Sequence, residues 1–168
     1  IVLRGNSSVY SELSNEVTEI VKESVPLYEK SSVDEFYIDL SGMNKFYDPH
    51  QLAKKLRERI IHETGLPISF GMSINKTVSK IATGEAKPNN EIKIVYGNEK
   101  PFLHPLSVRK IPMVGENTYK NFCDLGIKKI GTIQEMPVNM MTRVFGKNGT
   151  TIWKKANDID QSPVIAYQ

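Results

Sequence analysis

The chain has 168 residues, with 22 Lys and Arg against 19 Asp and Glu, a formal net charge of +3 and 39% hydrophobic residues. This is the composition of an ordinary globular protein, and the length suffices for one large domain or two small ones. The single Cys excludes an internal disulfide framework, and no apolar run is long enough to span a bilayer, so we expect a cytoplasmic protein with no membrane partner.

Charge is distributed unevenly along the chain. Residues 1–100 carry 13 basic and 14 acidic side chains, whereas residues 101–168 carry 9 basic and 5 acidic ones. The C-terminal third is therefore the part that favours a polyanion, although an excess of this size is also common in domains that bind no nucleic acid.

The first hundred residues predict alternating helices and strands. The apolar residues 1–3 have the character of a strand entered in mid-protein, and there is no initiator Met, so we expect a piece of a longer protein. Apolar side chains at helical spacing predict a helix over 8–25 that Pro26 ends, and alternation over 27–40 predicts a hairpin with its turn at 29–31. A helix, a strand, a helix and a strand are then predicted over 48–63, 67–73, 76–84 and 92–95.

This order of elements predicts an α+β fold, an antiparallel sheet with helices on one face. After about Tyr96 the strand patterns end and prolines separate short helical segments, which places a domain boundary near Gly97. We therefore expect two domains, residues 1–97 and an all-α domain of residues 98–168. Its helices are predicted over 117–125, 132–136, 140–145 and 149–157.

Two adjacent carboxylates, Asp34 and Glu35, interrupt a β-prone run. In a regular strand they would point to opposite faces, so they can share one site only near a strand end or a turn. Hard oxygen ligands of this kind suit Mg²⁺ or Mn²⁺ bound to substrate phosphates. Acidic pairs are common in proteins, so the alternative is a hairpin turn whose two carboxylates are solvated and bind no metal.

Several motifs, in order, resemble those of the Y-family translesion DNA polymerases, the DinB and UmuC group. Residues 33–39 (V-D-E-F-Y-I-D) are similar to the family's S-I-D-E-A-Y-L-D motif. Residues 71–76 (G-M-S-I-N-K), 80–82 (K-I-A) and 86–89 (A-K-P-N) resemble its G-x-S-x-N-K, K-I-A and K-P-N-G block. Residues 111–115 (I-P-M-V-G) resemble the helix-hairpin-helix I-P-G-V-G of its thumb domain, and Leu125-Gly126-Ile127 with Ile130-Gly131 resemble the start of the next helix.

The resemblance implies roles for named residues. Asp34 and Glu35 would be the catalytic, metal-binding carboxylates of the palm domain, with two Mg²⁺ ions that Mn²⁺ can replace. Lys87 would bind the incoming deoxynucleoside triphosphate, and Ser32 would lie along the primer end. In the thumb, the DNA contacts would come from the hairpin and the helix after it, namely Met113, Val114, Gly115, Asn117 and Thr118.

One residue of the predicted hairpin departs from the family pattern. Met113 stands where the family has a glycine, and a side chain there resists a positive φ and would crowd a phosphate. Lys110, Lys120, Lys128 and Lys129 would supply positive potential around the hairpin, which Glu116 would oppose.

On this resemblance the chain is the distal palm, residues 1–97, followed by the thumb, residues 98–168, of a longer polymerase. The family's first palm aspartate, its fingers and its little finger have no counterpart in the match, so we expect the chain alone to be inactive. The implied partners are primer-template DNA, the incoming nucleotide and a sliding clamp bound through other regions, and the location is near the nucleoid in a bacterium. Two alternatives stay open, a non-catalytic DNA-binding module and a nucleotide cyclase, although a cyclase has no need of a helix-hairpin-helix.

Overall fold

The computed structural model describes residues 6–167, so the strand predicted over residues 1–3 lies outside the described residues. The chain divides into two compact units, one of Ile1–Ile68 with Pro163–Gln168 and the other of Ser69–Ser162. The boundary predicted near Gly97 lies inside the second unit, because residues on both sides of it, such as Ile81 and Phe122, share one hydrophobic core. The division into palm and thumb stays a prediction.

Two helices and a hairpin form the first unit. Helix α1 (Ser7–Ser24) packs its apolar face against α2 (Pro49–Thr64), and their shared core contains Val17, Ile20, Val21, Leu56 and Ile60. Local signals fix the ends of α2. The Asp48 carboxylate accepts a hydrogen bond from the His50 amide at 2.9 Å, and Gly65 ends the helix with a φ of 72°.

Strands β1 (Tyr28–Lys30) and β2 (Phe36–Ile38) are antiparallel, as predicted, with Lys30 opposite Phe36. The predicted turn at 29–31 is wrong, because Glu29 and Lys30 belong to β1 and the connection is the five residues 31–35. The amides of Ser31 and Ser32 both donate to the Glu35 carbonyl, at 3.0 and 3.4 Å, and these bonds close the connection further along the chain. We call residues 31–35 the carboxylate loop.

In the second unit, β3 (Phe70–Met72) and β4 (Glu91–Lys93) pair in parallel, joined by helix α3 (Lys76–Ala86). The expectation of one antiparallel sheet is therefore wrong for this pair, and the described strands form two sheets of two strands each. A helical crossover is what allows consecutive strands to run parallel. The helix lies so close to β3 that a Cβ on Gly71 would be 2.4 Å from the Ser79 carbonyl oxygen.

The rest of the second unit is helical, as predicted, although its first helix, over 99–103, was not predicted. It contains α4 (Glu99–Leu103), α5 (Glu116–Asp124), α6 (Ile130–Glu135) and α7 (Val138–Ala156). Helix α7 is interrupted at Gly146, whose φ of 63° and ψ of −146° separate the two helices that the sequence predicted there. Short 3₁₀ helices cover Met43–Lys45 in the first unit and Val108–Lys110 in the second. Over residues 6–167, no helix is long and apolar enough to cross a membrane.

Candidate functional site

The carboxylate loop places Asp34 and Glu35 side by side where β2 begins. Asp34 is exposed and Glu35 is half-buried. Each carboxylate accepts a hydrogen bond from a serine of the same loop, Asp34 Oδ1 from Ser32 Oγ at 2.8 Å and Glu35 Oε1 from Ser31 Oγ at 3.2 Å. The pair therefore lies in a turn, which is the setting that a shared metal site requires.

The donors in this loop fit a hard divalent cation. Two adjacent carboxylates offer the oxygen ligands that Mg²⁺ prefers, and the exposure of Asp34 leaves room for water and substrate oxygens. Over residues 6–167, no group of three or more His, Cys, Asp or Glu side chains is placed to hold a metal ion. Within the described chain, the loop thus offers two carboxylates that could serve as ligands of such a cation.

Lys87 lies in the second unit, directly after α3. Its backbone is extended, with φ −63° and ψ 149°, and its side chain is exposed. The motif of residues 71–76 begins α3, the helix before Lys87. Its Asn75 caps the helix, since the Asn75 side-chain carbonyl accepts a hydrogen bond from the Val78 amide at 2.9 Å. The second unit thus presents a lysine on a defined backbone, free to reach a phosphate.

The segment Ile111–Gly115 forms a tight turn between the 3₁₀ helix Val108–Lys110 and α5, and we call it the Met113 hairpin. Met113 has a φ of 74° and its side chain is 47% exposed, so the backbone adopts the left-handed conformation that the side chain resists. Val114 is buried in the core. The Val114 amide donates to the Ile111 carbonyl and the Gly115 amide to the Met113 carbonyl, each at 3.1 Å.

The backbone amides that can donate hydrogen bonds to a phosphate lie beyond this turn, at the start of α5. The first hydrogen bond of α5 runs from the Tyr119 amide to the Gly115 carbonyl at 2.9 Å. The amides of Glu116, Asn117 and Thr118 precede it and have no partner within the helix. Asn117 is exposed and Thr118 half-buried, so both of the predicted residues of α5 lie at the helix end that favours an anion.

Charges around the Met113 hairpin are partly paired. Glu116 forms an ion pair with Arg109, whose guanidinium also lies 4.4 Å from the centroid of the Tyr119 ring. The negative charge expected to oppose DNA is therefore offset. Lys110 forms an ion pair with Glu85 at 3.0 Å, which leaves Lys120, Lys128 and Lys129 as exposed sources of positive potential.

Two side chains of α1 that the sequence did not single out contact the hairpin around the carboxylates, Ser14 at Val33 of the carboxylate loop and Thr18 at Lys30 of β1. The available signal was weak. Ser14 and Thr18 are polar residues that fall three positions before Val17 and Val21 on the apolar face of α1. Nothing in that spacing indicates that Ser14 contacts Val33, which lies nineteen residues further along the chain.

The sequence pattern of the impB/mucB/samB family matches residues 1–84, half of the chain, and this half contains the carboxylate loop. The chain belongs to this family of Y-family DNA polymerases. DNA polymerase IV of Dehalococcoides mccartyi is 32% identical over 165 residues, which are 98% of this chain and 42% of that protein. The chain spans about half the length of the curated relatives it matches.

Solved structures show the same fold. DinB from Sulfolobus solfataricus superposes on 98% of the chain with a TM-score of 0.86 at 24% identity, and 49% of that chain is covered. An insertion ternary complex of Dbh DNA polymerase gives a TM-score of 0.85 at 24% identity over 98% of this chain and 48% of its own. The α+β fold that the order of elements predicted is thereby confirmed, and the match over residues 1–84 confirms the family that the motifs predicted.

Proposed function

We propose that this chain carries the catalytic carboxylates and the DNA-binding hairpin of a translesion DNA polymerase. In this reaction, deoxynucleotides are added to a primer 3′ end under the direction of a template strand. The observation that carries the proposal is the position of Asp34 and Glu35, adjacent in a turn at the end of an antiparallel hairpin, in a chain of this family.

In the proposed reaction the primer 3′ hydroxyl attacks the α-phosphate in line, and pyrophosphate leaves. Divalent cations, when bound, stabilise the attacking and leaving oxygens. Asp34 and Glu35 supply carboxylate ligands beside the primer end. The Ser32 hydroxyl donates a hydrogen bond to Asp34 Oδ1 and thereby orients Oδ2 of the same carboxylate. Lys87 supplies a mobile positive charge for the triphosphate.

The Met113 hairpin and the first turn of α5 are the proposed DNA contacts. Free helix amides bind a backbone phosphate without reading the base sequence, which is what a polymerase requires on any template. Met113 and Gly115 lie at the exposed side of this turn, whereas Val114 contributes its buried side chain to the core that holds it. A sliding clamp, bound through regions outside this chain, and a cytoplasmic location are the remaining parts of the proposal.

Primer extension by the longer protein that contains this chain tests the proposal. We expect Mg²⁺-dependent incorporation that Mn²⁺ also supports, and we expect Asp34→Asn to reduce kcat by about a thousandfold or more, because several kcal/mol of transition-state stabilisation are lost. Asp39→Asn is the matched control. Asp39 belongs to the same hairpin but accepts a hydrogen bond from the Ser41 amide at 2.8 Å, outside the carboxylate loop.

Three results would contradict the proposal. Near-parental turnover by Asp34→Asn would remove the carboxylate loop from the active site. A longer protein that binds primer-template DNA without extending it would be the non-catalytic binding module. Formation of a cyclic nucleotide from a nucleoside triphosphate without primer would identify a cyclase.

A further inference from the structure

The first unit buries two hydroxyl side chains, Ser14 and Thr18 of α1, which are 7% and 8% exposed. They are the buried polar residues of that unit in the described part of the chain. Burying a hydroxyl costs free energy unless it forms a hydrogen bond. Both hydroxyls form such bonds, and these bonds connect α1 to the hairpin of the carboxylates.

The contacts hold the hairpin at two points. Ser14 Oγ donates to the Val33 carbonyl oxygen at 2.6 Å, within the carboxylate loop. Thr18 Oγ1 donates to the Ser14 carbonyl oxygen at 2.6 Å and accepts a hydrogen bond from Lys30 Nζ at 3.0 Å. Lys30 is the last residue of β1, directly before the loop.

The partner of Ser14 distinguishes it from Thr18 and Ser24 of the same helix. Ser24 Oγ donates to the Ile20 carbonyl oxygen at 2.6 Å, and Thr18 likewise bonds the carbonyl four residues before it. The hydroxyl groups of Ser and Thr in helices commonly donate their hydrogen bond to this carbonyl of the same helix. Ser14 instead donates to a carbonyl of the carboxylate loop, in the peptide group that directly precedes Asp34.

We propose that Ser14 is a positioning residue for the metal-binding carboxylates, an inference that rests on the proposed function. The Val33 carbonyl belongs to the peptide group that joins Val33 to Asp34. Fixing its direction fixes the plane of that peptide, which contains the amide nitrogen and the Cα of Asp34, and so restricts the directions in which the Asp34 side chain leaves the loop. Without such a contact, the peptide groups of an exposed loop can take several orientations. The restriction matters because a misplacement of about 1 Å at a reacting centre costs as much as a hundredfold in rate.

The first experiment compares kcat, the KM for nucleotide and the melting temperature of the longer protein with those of its variants. Ser14→Ala should reduce kcat by about tenfold or more at a temperature well below its melting point, with the nucleotide KM within about twofold, because Lys87 is unaffected. Ser14→Thr retains the hydroxyl and should recover most of the rate. Ser24→Ala, the control on the same helix, should match the parent.

The second experiment measures Mn²⁺ binding by electron paramagnetic resonance, with no nucleotide or DNA present. Ser14→Ala should weaken Mn²⁺ binding several-fold, whereas Ser14→Thr and Ser24→Ala should leave it unchanged. Should Ser14→Ala fail to fold, Ser14→Cys takes its place in both experiments, because it keeps the volume and weakens the hydrogen bond.

The outcomes separate this inference from the proposed function. Parental kcat and Mn²⁺ binding in Ser14→Ala, or an equal loss in Ser24→Ala, would overturn the positioning role while the polymerase remains. A parent that extends no primer overturns the proposed function, and the Mn²⁺ measurement then decides the role of Ser14. A parent that also binds no Mn²⁺ overturns both.

Discussion

Met113 holds a backbone conformation, with a φ of 74°, that costs a residue with a side chain about 1 kcal/mol. The side chain is about half exposed, so little packing offsets this cost. The tight turn into α5 nevertheless forms, because the amides of Val114 and Gly115 are satisfied within it. The Met113 hairpin thus forms at a cost in stability.

Replacing Met113 with glycine should therefore stabilise the protein. We expect Met113→Gly to raise the free energy of unfolding by about 0.5 to 1 kcal/mol, because glycine adopts a positive φ without strain. Urea unfolding followed by circular dichroism measures the change. Met113→Ala is the control, since it removes the side chain but keeps the Cβ, and an equal gain from alanine would show that strain at φ is not the cause.

Lys87 is the residue whose proposed role depends on its charge alone. We expect Lys87→Ala to raise the KM for the incoming nucleotide about tenfold in the longer protein, and to lower kcat too if the contact strengthens as charge develops. Steady-state incorporation kinetics measure both constants. Lys93→Ala is the control, because Lys93 is an exposed lysine of β4 in the same unit. Unchanged constants for Lys87→Ala would remove this residue from the nucleotide site.

At the scale of elements, the segment after α7 holds the N-terminus of α3. Asp160 Oδ2 accepts hydrogen bonds from the Thr77 amide at 3.0 Å and the Thr77 hydroxyl at 2.7 Å. Asn75, the first cap of the helix, donates from its side chain to Asp158 Oδ1 at 2.6 Å. Helix α3, which ends directly before Lys87, is thereby tied to the segment after α7 by two aspartates.

The pKa values of the two aspartates are shifted in opposite directions. Partial burial alone would raise the pKa of Asp160, but hydrogen bonds from Ser162 and Thr77 outweigh it and lower the pKa to about 2. Partial burial raises the pKa of Asp158 above its ordinary value of 3.8, although the bond from Asn75 opposes this. Asp160 therefore favours the folded state when charged, and Asp158 favours it when protonated.

Unfolding at several pH values tests this pair. The stabilisation from Asp160 is present above its unfolded pKa of about 4 and is lost as the pH falls towards 2, so Asp160→Asn should be destabilising at pH 7 and progressively less so below pH 4. Urea midpoints of the parent and the variant give the difference.

Asp158→Asn is the control, with the opposite expectation. Asp158 has a φ of 61°, which asparagine tolerates well, and its charge disfavours folding once the pH rises through its raised pKa. The variant should therefore be at least as stable as the parent at pH 7. A loss from Asp160→Asn that is constant from pH 7 to pH 2 would mean that its charge plays no part.

At the scale of the whole molecule, the sequence predicted what local signals determine. Pro49 begins α2 and Gly65 follows its last residue, and both ends of the helix lie one residue later in the chain than predicted. The parallel pairing of β3 with β4 was missed although the predicted order of strand, helix and strand is the one that allows it, because no single residue specifies the direction of a strand. The contact of Ser14 with the carboxylate loop was missed because it joins residues that are distant in the sequence.

Duplex DNA binding by the 168-residue chain tests the proposed interface as a whole. Residues 101–168 carry 9 basic and 5 acidic side chains, of which Lys110 and Arg109 are already paired with Glu85 and Glu116. Few phosphates can therefore be engaged, and we expect a dissociation constant of about 10⁻⁴ to 10⁻⁶ M without sequence preference. The affinity should fall by about 0.9 log units per contacted phosphate for each tenfold rise in salt, measured by titrating labelled duplex at two salt concentrations.

Two substitutions at Gly115 separate charge from shape in this binding. Gly115 precedes α5 without a side-chain cap, and a Cβ built on it meets nothing within 4 Å, so Asp and Asn both fit and both cap the helix. Gly115→Asp places a negative charge where the phosphate is expected and should reduce binding about tenfold or more, whereas Gly115→Asn should reduce it much less. Equal binding by the two variants, or parental binding that ignores salt, would mean that the Met113 hairpin only connects the 3₁₀ helix to α5 and that DNA binds another surface.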